Sequence, residues 1–471
     1  MLRPSPRTAA YGLASLFALV LACDLLWMPV QVGDSLGELM DAQRSSSVWA
    51  SFEANLGSSA YLRPLRIAQI KALFDAAQGH HYWLVFRGFH ALLIGVTLLL
   101  FTRVLRVSTR TDFAAAAFAL VTLTGLHTFR GTVQEAFPIN HFLEILLCCL
   151  LALNLARSRG GIWVDAAAAV IFTVAALTLE SGLLVWVVAA VAWAVGWRGI
   201  SARGLVLTTA LMLGYLYLRF VSFSSGVPSL SERSSGYWLS VLEPSELQQR
   251  FGANPLVFYG YNVWTSILSV LFSEPQAGVF EGVRAWLDDR LLARTVVPVT
   301  TSVIATGLIV WAAARRVVHR YPLDDTARFI LIGIAVLVAN AVLSFAYTKN
   351  EIMGIAGAFY ALAAFGAMRD GLLTAPALKR PAGIAFALLL CLLSVGWTVR
   401  SVGVHYVLRS QAFKHQADWA ALPGLWQRSE RWPNDPADLR LILQLRADAI
   451  ALSLPNTRIG FPRWPDSTWT D

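Results

Sequence analysis

What most constrains this chain is the recurrence of apolar runs long enough to cross a bilayer, separated by short loops that carry arginine. A helical crossing needs about 20 apolar residues. Candidate runs lie at 9–30, 82–102, 112–129, 140–156, 162–178, 181–197, 204–222, 295–314, 327–347, 352–368 and 382–400, about eleven in all. Backbone groups in lipid must be hydrogen-bonded within their own segment, so such runs read as helices. The expected fold class is all-α, a polytopic integral membrane protein. Charged residues make up 14% of the 471, against roughly 25% in soluble globular domains. The net charge of +9 does not indicate a nucleic-acid partner, because the basic residues stand singly between apolar runs and form no stripe.

Orientation follows from the basic bias of short loops. Arg3/Arg7, Arg103/Arg106/Arg110, Arg157/Arg159, Arg198/Arg203, Arg315/Arg316/Arg320 and Arg369/Lys379/Arg380 fall at every second turn and are expected to face the cytoplasm. The N-terminus then lies inside. The first loop (31–81), the turn at 130–139, the segment 223–294, the turn at 348–351 and a C-terminal tail (401–471) lie on the outer face. The run at 9–30 is too long for the apolar region of a cleavable signal and has no small-residue cleavage site, so it stays as the first span. Counting 257–273 as a crossing would move Arg315, Arg316 and Arg320 outside, so it reads as re-entrant or interfacial. The mixed charge of 277–294 suits the interface plane. In the tail, Asp435 as N-cap with Pro436 at the first helical position predicts a helix to Leu452. Cys23, Cys148, Cys149 and Cys391 lie in apolar runs and read as small buried hydrophobes without ligand spacing.

Ionisable residues at membrane depth are costly unless paired or solvated, so each is a functional candidate. Asp34, Glu38 and Asp41 recur at helical spacing just after the first run, an acidic face that could hold a general base, although spacing alone favours a solvated loop helix. Arg63, Arg66 and Lys71 accompany an apolar helical pattern in 58–76; arginine's planar fork fits phosphate oxygens, and an interfacial anchor to anionic lipid is the alternative. Arg87 and His90 open the second run, where Arg87 would pair with Asp24. Arg130, Glu135 and His141 lie near the next outer turn, with Glu144 a turn deeper. Glu180 stands between two apolar runs and needs a partner or water, and Lys349 and Glu351 fill a tight outer turn. No two histidines share a helix face at ligand spacing, so no metal site is expected.

In their order, these features resemble the GT-C glycosyltransferases, in particular the protein O-mannosyltransferase clan. The resemblance covers roughly residues 10–370. It rests on the outer-loop Asp34; on Tyr61, Arg63, Pro64 and Leu65 followed by Phe89-His90; on Glu135; on Glu180-Ser181; and on YLYLRF with Arg219. The chain departs from the family in having Gly33-Asp34 where paired acids are usual and no lysine before Glu180. Composition and the short tail without retention signals lead to the expectation of a bacterial inner membrane. The resemblance implies a GT-C-like membrane domain over 1–400. It also implies transfer of a sugar from a polyprenyl-phosphate donor to a protein, lipid or glycan acceptor on the outer face. Asp34 would be the general base; Arg63, Arg66, Arg219 and Lys349 would hold the lipid phosphate; Glu38, His90, Arg130, Glu135, His141 and Glu180 would line the sugar and acceptor site. Some relatives use a divalent cation and others do not. Competing readings are an O-antigen-ligase- or polymerase-like transferase using the 223–294 loop, a transporter or flippase motivated by Asp24, Arg87 and Glu144, and a noncatalytic scaffold recruiting partners through its tail.

Overall fold

The fold is that of a computed structural model describing residues 5–32, 34–56, 61–134, 138–223, 230, 234–273, 281–290, 293–346, 348–428 and 435–452, with side chains at 34, 281, 282, 293–295 and 423–428 outside the description. It is built almost wholly of helices. In chain order these are α1 (Pro6–Leu26), α2 (Asp34–Arg44), α3 (Val48–Ala54), α4 (Pro64–Ala76), α5 (Tyr82–Leu105), α6 (Arg110–Gly125), α7 (His127–Gln134), α8 (His141–Ala156), α9 (Ile162–Thr178) and α10 (Leu183–Ala194). There follow α11 (Ala202–Tyr217), α12 (Pro244–Phe251), α13 (Leu256–Phe272), α14 (Glu281–Leu287), α15 (Ala293–Val318), α16 (Asp325–Leu343), α17 (Gly354–Thr374), α18 (Arg380–Arg428) and α19 (Pro436–Ala451). A small hairpin, β1 (Ser235–Tyr237) with β2 (Ser240–Leu242), pairs antiparallel ahead of α12. Side-chain caps start many of the helices. Ser5, Ser47, Asn140, Ser201, Asp324 and Asp435 each accept a backbone N–H of the first turn, and Thr109 and Asp112 form a reciprocal capping box.

Among the described residues six helices are long and apolar enough to cross a membrane: α1, α5, α11 extended to Ser222, α15, α16 and α18. The pair α6 and α7, bent by 59° at their junction, makes a seventh if it is one span. Each of the eleven expected runs is helical, but α8, α9 and α10 have 16, 17 and 12 residues. At about 1.5 Å per residue none of these three reaches the full hydrocarbon thickness of about 30 Å. The 257–273 run is likewise a helix of 17 residues, α13, packed on α15 and α16.

At the centre stands α17, whose glycine- and alanine-rich sequence is buried on nearly every face among α6, α7, α15, α16 and α18. Small residues let neighbouring backbones approach closely where lipid supplies no hydrophobic drive. The arginine-bearing turns gather at one end of the bundle. Arg157 Nη2 reaches Asp325 Oδ2 at 2.6 Å, Arg369 Nε reaches Asp112 Oδ1 at 2.6 Å, and Arg316 pairs with Asp324 at 2.7 Å and with Asp370. These contacts join the ends of α8, α15 and α17 to the starts of α6 and α16, as alternating helix directions require.

The opposite end carries a second apolar core. Leu36 and Leu39 of α2, Ile70 of α4, Tyr82 and Phe86 of α5, Trp419 and Leu422 of α18, and Leu441, Ile442 and Leu445 of α19 pack together there. The polar tail therefore does not start a new element at 401, because α18 runs unbroken through that position. Trp419 Nε1 donates to the Val30 carbonyl at 2.5 Å, and Arg44 of α2 pairs with the buried Asp438 of α19. The expected tail helix is present with its Asp435 cap. The mixed-charge helix expected over 277–294 is confined, among the described residues, to α14 and the start of α15. Of the cysteines only Cys149 is buried; Cys23 and Cys391 are exposed on apolar helices and Cys148 is half-buried, a correction to the reading that all four sit inside.

Candidate functional site

Most of the candidate residues meet at the end of the bundle opposite the arginine-rich turns. Pro64 occupies the first turn of α4, where its missing N–H costs nothing, and this leaves Arg63 at the cap position. Arg63 Nε donates to both Glu180 oxygens at 3.0 Å and Nη2 donates to Oε2 at 2.7 Å. Glu180 opens a 3-10 turn, Glu180–Gly182, that follows the extended Leu179. A side chain at Gly182 would strike the Ala175 carbonyl of α9, so only glycine lets this turn fold back so tightly. Arg219, in a π-helical turn (Leu218–Ser222) at the end of α11, reaches Glu180 Oε1 from the other side at 3.2 Å. Its Nη1 also lies 3.4 Å from the Tyr215 hydroxyl, and the Arg63 guanidinium sits 4.0 Å above the Tyr61 ring. Two guanidiniums share one carboxylate, so this half-buried cluster carries a net charge of +1.

Beside it, Arg66 of α4 pairs with Glu38 of α2. His141 Nδ1 donates to Glu144 Oε2 at 2.8 Å, and the Gln69 amide, turned to donate, reaches both Glu144 oxygens at 3.0 Å. His141 Nε2 is buried with no hydrogen-bond partner among the described residues. Lys349 Nζ lies 3.5 Å from Glu351 Oε1, in a turn pressed against Gly131 of α7, where an added Cβ would sit 2.8 Å from the Glu351 backbone nitrogen.

The structure thus brings together Glu38, Arg63, Arg66, His141, Glu180 and Arg219. His90 is fully buried on α5, Arg130 lies on α7, and Lys349 belongs to the adjoining α7 contact. Asp34 is the first residue of α2, one helical turn ahead of Glu38; its side chain lies outside the described residues, as does Glu135 altogether. Lys71 is not a surface cation but a buried one, paired with Asp75 at 2.7 Å. Arg63, Arg66, Arg219 and Lys349, the expected phosphate ligands, each lie beside a carboxylate: Glu180, Glu38, Glu180 and Glu351.

Two further corrections concern buried charge. Arg87 does not pair with Asp24: its Nε, Nη2 and Nη1 donate to the carbonyls of Met28 (2.9 Å) and Pro29 (2.8 Å), just past the end of α1, and of Pro138 (3.1 Å), ahead of α8. Asp24 pairs with His405 of α18, a residue on the far side of the presumed boundary at 401. Sequence reasoning also missed Arg400. Fully enclosed, it stacks 4.0 Å over Trp397 and donates to Thr301 Oγ1 (2.9 Å), Ser302 Oγ (2.9 Å), Ser273 Oγ (2.8 Å) and the Pro298 carbonyl (3.2 Å). The signal is present in the sequence, since an arginine interrupts GWTVRSVGV, but it stands at the very edge of the last expected span, 382–400. Among the described residues no three His, Cys, Asp or Glu side chains form a group able to hold a metal ion. No protein-family model, no curated protein and no solved structure matches the chain.

Proposed function

We propose that the chain is a GT-C-type membrane glycosyltransferase that moves a sugar from a polyprenyl-phosphate donor to an acceptor hydroxyl on the outer face of a bacterial inner membrane. The observation that carries this reading is the Arg63–Glu180–Arg219 cluster, net +1 and half-buried at the end of the bundle, next to the Arg66–Glu38 pair and the helix that Asp34 begins. A polyprenyl-phosphate sugar is a diester with one negative charge. As the anomeric C–O bond breaks, its electron pair passes to the phosphate oxygen and a second negative charge develops. A fixed excess of one positive charge, held on two planar guanidiniums outside bulk water, favours that charge in the transition state. The ion pairs do not preclude this, since each guanidinium has more N–H groups than Glu180 engages. The acceptor hydroxyl forms the new C–O bond while its proton passes to Asp34, the general base. Glu38 and His141 orient the sugar and acceptor hydroxyls, and the apolar α13 borders the path of the prenyl chain.

The test uses full-length protein in lipid nanodiscs supplied with a panel of radiolabelled polyprenyl-phosphate sugars, comparing the natural chain with Asp34→Asn. The expected result is release of one sugar, reduced at least about 100-fold by the substitution, the usual contribution of a general base, with donor binding retained. Full activity of Asp34→Asn, or the absence of turnover and binding across the panel, would overturn the reading.

A further inference from the structure

A cleft of about 530 Å³ opens at the arginine-rich end of the bundle, between α15, the end of α17 and the start of α18. That volume falls within the range of roughly 300–1,000 Å³ typical of small-molecule sites. Its walls are Trp311, Leu378 and Phe386, with Arg315, His319 and Thr374 as the polar contributors. Trp311 and Phe386 meet edge to face at 5.5 Å and form an aromatic floor.

The charge in this cleft is arranged unlike that of its neighbours. Arg316 turns inward and is held by Asp324 and Asp370. Arg315, rotated by about 100° around the same helix, turns into the cleft, where it donates to the Thr374 hydroxyl and lies 5.6 Å from the Trp311 ring centre. Among the described residues it has no carboxylate partner. Lys379 and Arg380 follow Leu378 directly at the rim, and the surfaces to either side are exposed apolar helix, with Val310, Val317, Leu373, Ile384 and Leu388. In a chain with helices apolar enough to cross a membrane, an apolar cavity flanked by exposed apolar helix, with Arg315 lacking a carboxylate partner among the described residues, complements a molecule with a hydrocarbon chain and an anionic head. Among the described residues the polar groups of the cleft are few, Arg315, His319 and Thr374, beside a mostly apolar lining, whereas a neutral polar solute needs a larger convergent set of donors and acceptors.

We infer that this cleft binds an anionic phospholipid from the leaflet facing the arginine-rich loops, its phosphate on Arg315 and Thr374 and one acyl chain against Trp311, Leu378 and Phe386. The inference does not depend on the transferase reading, since it concerns the other end of the molecule.

The experiment is native mass spectrometry of the full-length protein titrated with phosphatidylglycerol or with phosphatidylcholine of the same chains. An interfacial arginine gains about 1 kcal/mol from a lipid of net negative charge that it does not gain where a choline cation offsets the phosphate, which is about fivefold in affinity. The natural protein is therefore expected to prefer phosphatidylglycerol about fivefold or more, Arg315→Gln to bring the two lipids near parity, and Arg315→Lys to keep most of the preference. Leu378→Trp, which fills the cleft from an exposed position, should remove tight binding of phosphatidylglycerol. Equal binding of the two lipids by the natural protein, an undiminished preference in Arg315→Gln, or undiminished binding in Leu378→Trp would each overturn the inference. If Arg315→Gln does not fold, Leu378→Trp carries the test alone.

Discussion

At the scale of single residues, the pattern that decides the end of the bundle holding Glu180 is the number of cations assigned to each carboxylate. Glu180 serves two guanidiniums, so losing it strips the counter-charge from both, whereas losing either arginine leaves a neutral pair. Removing one partner of a buried ion pair costs about 3–5 kcal/mol when burial is complete. The side chains here are 18% exposed for Glu180 and 25% for Arg63, which places the expectation toward the lower figure. Glu180→Gln is expected to lower the thermal midpoint of the purified protein, and Glu180→Gln combined with Arg63→Gln to recover part of that loss. A midpoint unchanged by Glu180→Gln would show that the cluster is solvated and not a constraint on the fold. That Glu180 needs a partner or water is legible in the sequence, because a lone acid between two apolar runs is costly unless paired or solvated. Which partner it takes was not. Arg63 is 117 positions away, and the choice depends on how α4 and α11 settle against the end of α9.

At the scale of elements, the tail shows how local and non-local information divide. Asp435, Pro436 and the apolar spacing of the following residues predict α19, and its cap is made as expected, by Asp435 accepting from the Ala437 N–H. Its docking site on α2 and α18 involves Asp438 with Arg44, and Arg446 Nε donating to the Trp419 carbonyl at 3.2 Å, contacts that no spacing rule reveals. The change of polarity at 401 marks where apolar surroundings end, and it was read as the end of a helix. Nothing between 401 and 422 breaks a helix, and Val404, Val407, Leu408, Ala412 and Trp419 continue a buried stripe. Docking also carries a pH dependence. Burial pushes the Asp448 carboxyl above its ordinary value, against the opposing pull of His81 and His80. An acid with a raised folded pKa favours the folded state most when protonated. Its contribution is therefore full below the unfolded value and is lost as the pH rises through the folded one. Hydrogen exchange of the α19 amides should slow as the pH is lowered toward that range, after correction for intrinsic rates. Asp448→Asn should slow exchange at neutral pH, by the equivalent of less than about 1 kcal/mol for a half-buried group, and should flatten the dependence. Faster exchange in Asp448→Asn would reverse the sign of this account.

At the scale of the whole molecule, the alternation of arginine-rich and acid-bearing turns becomes a polarised bundle, one end tied by pairs such as Arg157–Asp325 and Arg369–Asp112, the other capped by α2, α4 and α19. If the basic end is cytoplasmic, an impermeant maleimide on intact cells should label Ser46→Cys in the first loop. It should reach Ser158→Cys only after permeabilisation, each substitution being made in a chain lacking Cys23, Cys148, Cys149 and Cys391. Labelling of both from one side would refute the alternation. The sequence by itself determined that the chain is helical, that several of its helices are apolar enough to cross a membrane, and where many of them begin, because burial periodicity and capping are local properties read over a few turns. Only the tertiary structure decided that Arg87 binds carbonyls while Asp24 takes His405, that the four expected phosphate ligands lie beside carboxylates, and that Arg400 joins α13, α15 and α18 through hydroxyls. The physical reason is that a charge inside an apolar protein must be matched by whichever polar atom packing brings within about 3 Å, and that neighbour is set by how helices distant in sequence are arranged.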